Sequence, residues 1–549
     1  MIGAQALVAS LTGAGVDVCF MNPGTSEMHF VGALDSVPEM RGVLALFEGV
    51  ATGAADGYAR IAGKPAAVLL HLGPGLANGL ANLHNARRAR TPVVVIVGAH
   101  ATGHARYDAP LQSDIEALAR TVSGWVHTSG TPRDLAQDAM RAVAAAQSGQ
   151  IATLILPADV SWSEGATIAP PRARVPAPIP ASAPTAASAP TSASAPTSAS
   201  ASTVDYGRLL SSRTMLFLGG TALSERGLRA ASRISVATGA RLLAETFPAR
   251  IERGAGVPGL DRLAYLAEMA EAQLAGVDQL ILAGARSPVS FFAYPDRASD
   301  LVPPGCTVTV LAEPDQDTEA ALETLADQVA AGTKPVLVEA APPPPADPGP
   351  LNAISLANTI AASLPEHAII SDEANTSGFA LPMALAAAPR HTLLTLTGGS
   401  IGQGMPAATG AAIAAPDRPV LSLEADGSAL YTIQALWTQA RERLDVTTVL
   451  INNAAYAILR MELARTRAGE MGAGQTGTGP GERAARMLDL SAPTPDFTQL
   501  STGLGVPARR VTTAEELDRA LREAYAEPGP HLIEAIVPPV IPPPSAGAW

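Results

Sequence analysis

A carboxylate and an amide side chain follow two apolar runs in the last third of the chain. Residues 421–453 read LSLEADGSALYTIQALWTQARERLDVTTVLINN, so Asp426 follows the first run and Asn453 ends the second. If these runs are neighbouring parallel strands, their carboxyl ends share the sheet edge where ligands bind. Both side chains offer the hard oxygens that Mg²⁺ requires, and Gly427 and Ser428 suit contact with a phosphate. A strand-end aspartate and a turn asparagine without a ligand are the alternative.

The same segment resembles the thiamine-diphosphate motif, GDGS followed by a pair of asparagines. Ala425 replaces the first glycine of that motif, while the Asp-Gly-Ser and Asn-Asn parts keep their spacing. The resemblance implies that Mg²⁺ is bound by Asp426, Asn453 and the carbonyl of Ala455. It also implies that the cofactor is contacted by Asp426, Gly427, Ser428, Asn453 and Tyr456.

A glutamate near the N-terminus has an apolar setting. Residues 44–60 read LALFEGVATGAADGYAR, in which Glu48 follows Leu46 and Phe47 and precedes a helical pattern of small residues. This layout resembles the segment that carries the catalytic glutamate of thiamine-diphosphate enzymes. The resemblance implies that Glu48 binds N1′ of the aminopyrimidine, so that the 4′-imino nitrogen can deprotonate thiazolium C2. Taken alone, Glu48 could simply favour a helix N-terminus, where the dipole welcomes a negative charge.

Two polar residues in glycine-containing loops are candidates for contact with a substrate. Residues 20–30 read FMNPGTSEMHF, and the Asn-Pro-Gly-Thr part is typical of a turn. It resembles a loop of benzoylformate decarboxylase, which implies that Thr25 faces the substrate. His71, in LLHLGPGLANGL (69–80), resembles a histidine that relays protons in such decarboxylases, whereas acetolactate synthases have a similar loop without it. A turn threonine and a structural histidine are the alternatives.

Two further segments resemble parts of the cofactor site. Residues 398–406 read GGSIGQGMP, which is similar to the segment that holds the aminopyrimidine. The resemblance implies that the Gly399 carbonyl accepts a hydrogen bond from the 4′-amino group and that Ile401 wedges between the two rings, a positioning effect. In SDEANTSG, it implies that Asn375 and Thr376 contact the diphosphate. A glycine-rich turn between a strand and a helix is the alternative for the first segment.

These residues need strands to position them. Short apolar runs alternate with helical patterns, which predicts strands that are buried on both faces and parallel. We therefore predict three doubly wound α/β domains. The predicted strands are 66–72, 92–98, 152–157, 215–218, 280–283, 307–311, 368–371, 420–423, 447–451 and 532–536, and the predicted helices are 76–90 and 430–443.

Two segments rich in proline divide the chain, because neither can bury enough apolar surface to offset its ordering entropy. The resemblance adds the expected role of each domain. The predicted division is 1–165, pyrimidine-binding; 166–204, a disordered Pro/Ala/Ser linker; 205–337, a central domain; 338–350, a Pro-rich linker; and 351–540, diphosphate- and Mg²⁺-binding.

Composition argues against several classes of protein. The net charge is −13 and no Lys/Arg cluster occurs, so nucleic acid is not an expected partner. Cys19 and Cys306 form no CxxC motif and are expected to be reduced thiols. No apolar run reaches the roughly 20 residues that span a bilayer, and the first basic residue is Arg41. We therefore expect a cytoplasmic protein without membrane association.

The resemblance covers nearly all of the chain outside the proline-rich segments. It implies an enzyme that uses thiamine diphosphate and Mg²⁺ to decarboxylate a 2-oxo acid through an enamine. The enamine is then either protonated, as in benzoylformate decarboxylase, or added to a second carbonyl, as in acetolactate synthase. A 2-hydroxyacyl-CoA lyase-type enzyme and a non-catalytic binding protein with the same fold are the alternatives.

Two features qualify that resemblance. Residues 287–294 read SPVSFFAY and lack the second histidine of benzoylformate decarboxylase, and the central segment offers only a weak glycine turn, so FAD is not expected.

Glu48 and Asp426 lie in different domains. In the family these halves meet across a subunit interface, which implies a homodimer or a dimer of dimers.

Overall fold

Apolar runs form the strands of the first unit. The computed structural model describes residues 1–170, 205–294, 296–341, 348–470 and 482–539. In the first unit a parallel sheet has the order β2-β1-β3-β4-β6-β5. Its strands are β1 (Val18–Asn22), β2 (Arg41–Leu44), β3 (Ala66–Leu70), β4 (Val93–Ala99), β5 (Trp125–Thr128) and β6 (Ile151–Pro157). Its helices are α1 (Gly3–Gly13), α2 (Met28–Ala33), α3 (Glu48–Ala62), α4 (Leu72–Arg88), α5 (Ile115–Arg120), α6 (Pro132–Gln147) and α7 (Ala158–Trp162).

The second unit contains a smaller parallel sheet with the order β10-β8-β7-β11-β12. The strands of this segment are β7 (Thr214–Leu218), β8 (Arg241–Ala244), β9 (Ile251–Arg253), β10 (Asp261–Arg262), β11 (Gln279–Ala283) and β12 (Thr307–Ala312). Its helices are α8 (Tyr206–Leu209), α9 (Glu225–Thr238), α10 (Ala267–Leu274) and α11 (Thr318–Val329).

The third unit has seven strands in the order β17-β18-β16-β15-β13-β14-β9. All neighbours are parallel except β9, which comes from the middle of the chain and pairs antiparallel with β14. The further strands are β13 (Ala368–Glu373), β14 (His391–Thr395), β15 (Val420–Ala425), β16 (Val446–Asn452), β17 (Ala508–Val511) and β18 (His531–Ile536). The helices are α12 (Ala353–Ser363), α13 (Leu381–Ala384), α14 (Gly404–Ala414), α15 (Asp426–Thr432), α16 (Ala435–Glu442), α17 (Ala457–Glu470), α18 (Glu482–Arg486), α19 (Phe497–Gly503) and α20 (Ala514–Ala526).

The predicted class, three parallel-sheet α/β units, is confirmed, and each predicted strand is present to within a few residues. The helix predicted over 430–443 is wrong in its details, because two helices, α15 and α16, cover this stretch and the first already begins at Asp426. Neither Ile433 nor Gln434 is a helix-stopping residue, so periodicity does not reveal the break. The hydroxyl of Thr432 donates to the carbonyl of Gly402, which ties the end of α15 to a neighbouring turn. Of the predicted linkers, residues 171–204 and 342–347 lie outside the described residues.

Helices α3 and α14 join the first and third units within one chain. A Cβ on Gly57 would lie 2.0 Å from the carbonyl oxygen of Ala407, and one on Gly410 would lie 1.8 Å from that of Ala54. Glycine at both positions therefore lets the two helix backbones touch. Buried side chains of both units form one continuous apolar core. Within the described ranges, no helix is both long enough and apolar enough to cross a membrane.

Candidate active site

Glu48 lies where the first sheet presents the carboxyl ends of its strands. It is the first residue of α3 and its exposed fraction is 7%. Its Oε2 accepts a hydrogen bond of 3.0 Å from Nδ2 of Asn78 on α4. A Cβ on Gly75 would lie 3.4 Å both from Glu48 Oε1 and from the Cβ of His71, so Glu48 and His71 flank the same glycine. The structure thus brings these two predicted residues together.

His71 is paired with a second buried carboxylate, Glu27. The distance from His71 Nδ1 to Glu27 Oε2 is 2.8 Å, and the same oxygen accepts from the backbone N–H of Gly24 at 2.8 Å. Burial raises the pKa of Glu27, while its bonds to Gly24 and His71 act in the opposite direction. A Glu27 hydrogen bond of this kind orients the imidazole and selects its tautomer.

The role of Glu27 escaped the sequence analysis, although a signal was present. A carboxylate three residues after Gly24 is the spacing at which a side chain caps the start of a helical turn, and Thr25–Glu27 do form a 3-10 helix. Thr25, the predicted substrate contact in that turn, is exposed in the single chain.

The candidate metal ligands lie together at the ends of β15 and β16. Asp426 is 2% exposed, and its Oδ2 accepts from the backbone N–H of Asn453 at 3.2 Å. The amide oxygen of Asn453 accepts from the N–H of Ala455 at 2.9 Å, and its Nδ2 donates to Ser377 at 2.9 Å. Burial raises the pKa of Asp426, with backbone N–H groups as its main compensation. A cation beside Asp426 would offset that desolvation.

The loops around Asp426 form a narrow cradle. A Cβ on Gly427 would lie 2.5 Å from the ring of Tyr456, so only glycine fits between the strand end and that ring. Nδ2 of Asn375 donates to the hydroxyl of Ser428 at 2.9 Å, which joins two of the predicted phosphate contacts. Thr376 is buried next to Asn375.

We call residues 397–402 the wedge turn, because this segment carries Gly399 and Ile401. Gly399 has φ +73°, a conformation that favours glycine. The turn is held by Glu373, a buried residue at the end of β13 that the sequence analysis did not single out. Its carboxylate accepts from the backbone N–H groups of Gly402 (2.7 Å), Gln403 (2.8 Å) and Gly404 (2.5 Å). Burial raises the pKa of Glu373 to about 7, against the lowering effect of these bonds.

An aromatic cluster from the second unit covers the wedge turn. Phe291 packs so closely that its Cζ would lie 2.6 Å from a Cβ on Gly399. The ring centroids of Phe291 are 5.0 Å from Tyr265 and 4.9 Å from Phe292. Phe291 and Phe292 are still 40% and 53% exposed. Residues 287–294, which contain no histidine, thus present an apolar wall to the wedge turn.

Thiamine diphosphate and Mg²⁺ fit these residues. Within the described ranges no three His, Cys, Asp or Glu side chains are grouped as a metal site. The candidate set instead has one buried carboxylate, the amide oxygen of Asn453 and the carbonyl of Ala455, and such hard oxygens suit Mg²⁺ bound with a phosphate. Gly427 leaves room for a close backbone approach. Glu48 and the wedge turn would hold the aminopyrimidine end.

Comparison with family models agrees with this geometry. Residues 1–119 match the thiamine pyrophosphate enzyme N-terminal TPP binding domain, and residues 383–535 match the C-terminal TPP binding domain of the same enzymes. The matched ranges contain Glu48 and Asp426, respectively.

The chain is similar both to proteins named acetolactate synthase and to proteins named as decarboxylases. The chain is 59% identical to "Putative acetolactate synthase large subunit IlvX" of Mycobacterium tuberculosis, over 98% of this chain and 100% of that protein. It is 29% identical to benzoylformate decarboxylase of Pseudomonas aeruginosa, over 95% and 96% of the two chains.

Solved structures share the fold. The thiamine diphosphate-dependent 4-hydroxybenzoylformate decarboxylase of Rhodococcus jostii RHA1 superposes with a TM-score of 0.78 at 24% identity, over 98% of this chain and 99% of that chain. Benzoylformate decarboxylase from Polynucleobacter necessarius gives 0.75 at 22% identity, over 99% and 100%. With a relative that is 59% identical over its full length and both cofactor domains matched, the chain belongs to the thiamine pyrophosphate enzyme family.

Proposed function

We propose that this chain uses thiamine diphosphate and Mg²⁺ to decarboxylate a 2-oxo acid, and then either releases an aldehyde or joins the acyl fragment to a second carbonyl compound. One observation carries the proposal. A buried glutamate begins α3 and a buried hard-oxygen set lies at the ends of β15 and β16, each within a matched cofactor-binding domain.

Each residue of the proposed site has a distinct role. When bound, thiamine diphosphate supplies a nucleophilic thiazolium carbon and an electron sink for decarboxylation. Glu48 holds or releases a proton at its carboxylate, with Asn78 fixing one of its oxygens. Asp426, Asn453 and the carbonyl of Ala455 hold Mg²⁺. Gly399 and Ile401 orient the ring system from the wedge turn.

His71 and Glu27 favour one of the two outcomes, release of the aldehyde. A histidine whose Nδ1 faces a buried carboxylate would keep its Nε2 available to donate the proton that aldehyde release requires. Similarity to benzoylformate decarboxylase supports the same outcome, while the 59% identical relative named an acetolactate synthase supports carboligation.

The products decide between these outcomes. Purified protein with thiamine diphosphate and Mg²⁺ is incubated with pyruvate, with pyruvate plus an added aldehyde, and with benzoylformate. Acetolactate or a mixed acyloin identifies a carboligase, whereas free aldehyde identifies a lyase. Thermal unfolding is measured in parallel, because ligand at about 100 times Kd stabilises by roughly 2.7 kcal/mol. The absence of both turnover and a rise in Tm would contradict the proposal.

We also propose that the active enzyme is a homodimer or a dimer of dimers with the active site at the subunit interface. Support comes from large apolar side chains that are exposed beside the site in the single chain. Leu430 and Tyr431, two and three residues after Ser428, are 39% and 54% exposed. Leu46, two residues before Glu48, is 46% exposed. Such surface is normally covered by a partner.

A cytoplasmic location is the remaining part of the proposal. Cys19 and Cys306 are both unpaired, and unpaired thiols are typical of reducing compartments. Fractionation of the source cells would check it, since recovery outside the cytoplasm would contradict it.

A further inference from the structure

A row of polar side chains crosses three neighbouring strands of the third unit and ends at the turn of the proposed metal site. Glu534, on β18, is fully buried. Its Oε2 accepts from Nε of Arg510 on β17 at 2.8 Å, and its Oε1 accepts from Nδ2 of Asn452 on β16 at 2.8 Å. Arg510 is the outer end of the row, since 45% of its side chain is exposed. The row thus connects the protein surface with Asn452, the residue before the candidate ligand Asn453.

The turn after β16 has a strained backbone. Ala454, between the candidate ligands Asn453 and Ala455, has φ +54°, in the left-handed region that a residue with a Cβ disfavours. Its N–H donates at 3.0 Å to Oδ1 of Asn452, the side chain whose other end faces Glu534. A residue keeps such a conformation only where its surroundings fix it. The Asn452 amide is therefore part of what fixes this turn.

Glu534 decides which way the Asn452 amide points. An ionised carboxylate only accepts hydrogen bonds, so it requires the NH2 end of the amide and leaves the amide oxygen to face the N–H of Ala454. Arg510 compensates the buried charge, which would otherwise be costly. A glutamine at position 534 would offer both a donor and an acceptor, so that either orientation of Asn452 would become possible. The bond to Ala454 would then no longer be enforced.

We propose that Glu534 is a positioning residue for the proposed magnesium site. Through Asn452 it fixes the turn of residues 452–455 and so holds Asn453 and the carbonyl of Ala455 in place. The inference rests on the proposed function, because this turn has a chemical role only if it binds Mg²⁺. Every contact in the row lies within the third unit of one chain, so the row is complete before subunits pair.

The test compares Glu534→Gln and Asn452→Ala with the wild-type full chain. Without cofactor, hydrogen–deuterium exchange should show lost protection in residues 452–457, while the helices that pack on the sheet stay protected. At a fixed excess of thiamine diphosphate, the Mg²⁺ concentration that gives half of the rise in Tm should increase by about 10-fold in each variant. This is the lower end of what loss of a residue that orients a metal ligand costs in affinity. At saturating Mg²⁺ the full rise should return, because the ligands themselves are unchanged.

A double variant, Glu534→Gln with Asn452→Ala, tests whether the two side chains act as one unit. Because both substitutions break the same link, the double variant should shift the Mg²⁺ midpoint no further than the larger single variant does. Independent effects would instead multiply to about 100-fold. Should Glu534→Gln not fold, Asn452→Ala carries the test, since it leaves the pair of Glu534 and Arg510 intact.

Glu252→Gln is the matched control. Glu252 lies on β9 at the far edge of the same sheet and is 8% exposed. It accepts from Nε of Arg250 and from the hydroxyl of Thr392. The variant therefore also neutralises a buried carboxylate that pairs with an arginine. It should lower Tm without moving the Mg²⁺ midpoint.

Three results would overturn the inference. The first is a wild-type Mg²⁺ midpoint in both Glu534→Gln and Asn452→Ala. The second is an equal shift in Glu252→Gln, which would make the effect a general consequence of lost stability. The third is a pair of shifts that multiply in the double variant. If the wild-type chain shows no rise in Tm with thiamine diphosphate and Mg²⁺, the proposed function fails, and exchange in residues 452–457 still decides whether Glu534 holds the turn.

Discussion

At the scale of single residues, three buried carboxylates are compensated in different ways. Glu48 has an amide donor from Asn78, Glu27 has His71, and Asp426 has backbone N–H groups. Each compensation suits a different proposed role. In the proposed mechanism Glu48 would exchange a proton with the cofactor, Glu27 would orient the imidazole of His71, and Asp426 would bind a cation.

Replacement of Glu48 tests the proton exchange. Glu48→Gln preserves the size of the side chain but removes the group that holds a proton. We expect the affinity for thiamine diphosphate to be nearly unchanged and C2–H exchange to fall by about 10²- to 10⁴-fold. NMR of acid-quenched cofactor measures the exchange, with the exposed Glu116→Gln as the control. Normal exchange in Glu48→Gln would mean that the assigned mechanism is wrong.

Asp426→Ala tests capture of the cation. The substitution removes the only carboxylate of the proposed magnesium set. The rise in Tm caused by thiamine diphosphate with Mg²⁺ should disappear, because the diphosphate would lose its metal bridge. Asp417→Ala, on the surface, should keep the full rise. A Tm rise of wild-type size in Asp426→Ala would refute the assignment.

Glu27→Gln tests the pairing with His71. The variant removes the negative charge that faces Nδ1 of the imidazole. Release of aldehyde from a 2-oxo acid should slow by about 10-fold, while cofactor binding persists. The expected loss is smaller than the roughly 10²- to 10⁴-fold contribution of a positioned proton transfer, because His71 itself is retained. Aldehyde is measured with a coupled dehydrogenase, and exposed Glu39→Gln serves as control. An unchanged rate would leave Glu27 a structural cap.

At the scale of elements, the strand ends position the chemistry. Strands β13, β15 and β16 each end in a residue or loop of the candidate site, because parallel strands present their carboxyl ends at one edge. The other end of the third sheet, where the strands begin, holds a buried histidine. His391, the first residue of β14, is buried, with Nδ1 2.8 Å from the carbonyl oxygen of Pro389.

Burial of His391 predicts a pH-dependent stability. Burial lowers the pKa of His391 from 6.5 to about 4. Between pH 6.5 and 4 His391 is therefore mostly protonated in the unfolded chain and mostly neutral in the folded chain. The contribution of neutral His391 to the free energy of unfolding is complete above pH 6.5. It is lost as the pH falls towards 4, which lowers the free energy of unfolding by up to about 3 kcal/mol.

Urea unfolding of His391→Leu against pH measures this effect. The difference in free energy of unfolding between wild type and variant should change by about 3 kcal/mol between pH 7 and 4, in favour of the variant at low pH. Ile369→Val, a buried change without a titratable group, should cost the same at every pH. A pH-independent difference for His391→Leu would exclude the predicted coupling.

At the scale of the whole molecule, the exposed apolar residues beside the site predict assembly. We expect sedimentation velocity to show a dimer or tetramer, and Tyr431→Glu to weaken the dimer by at least about 10-fold, since a buried charge in an interface costs more than about 1.4 kcal/mol. Val236→Glu, at a similarly exposed apolar position on α9 (49% against 54% for Tyr431), should leave assembly unchanged. A monomer that retains full specific activity on dilution would contradict the shared active site.

The sequence by itself determined the fold class, ten of the eighteen strands in the described residues, and the two motifs. Strands buried on both faces are continuous apolar runs, and Asp426 and Asn453 follow such runs directly, so local pattern was sufficient for both. The helix break at Ile433 was not predictable, because neither Ile433 nor Gln434 is a helix-stopping residue, and the bond from Thr432 to Gly402 beside the break joins segments that are distant in sequence.

Only the tertiary structure decided which residues hold the motifs in place. Glu27 on His71, Glu373 on the wedge turn, Glu534 on Asn452, and β9 in the third sheet are all contacts between segments that are far apart in sequence. A local pattern records which face of an element is apolar, but it does not record which distant backbone group will lie opposite a buried polar side chain. That pairing is set by how the units pack, since a buried donor or acceptor must find its partner wherever the fold places one.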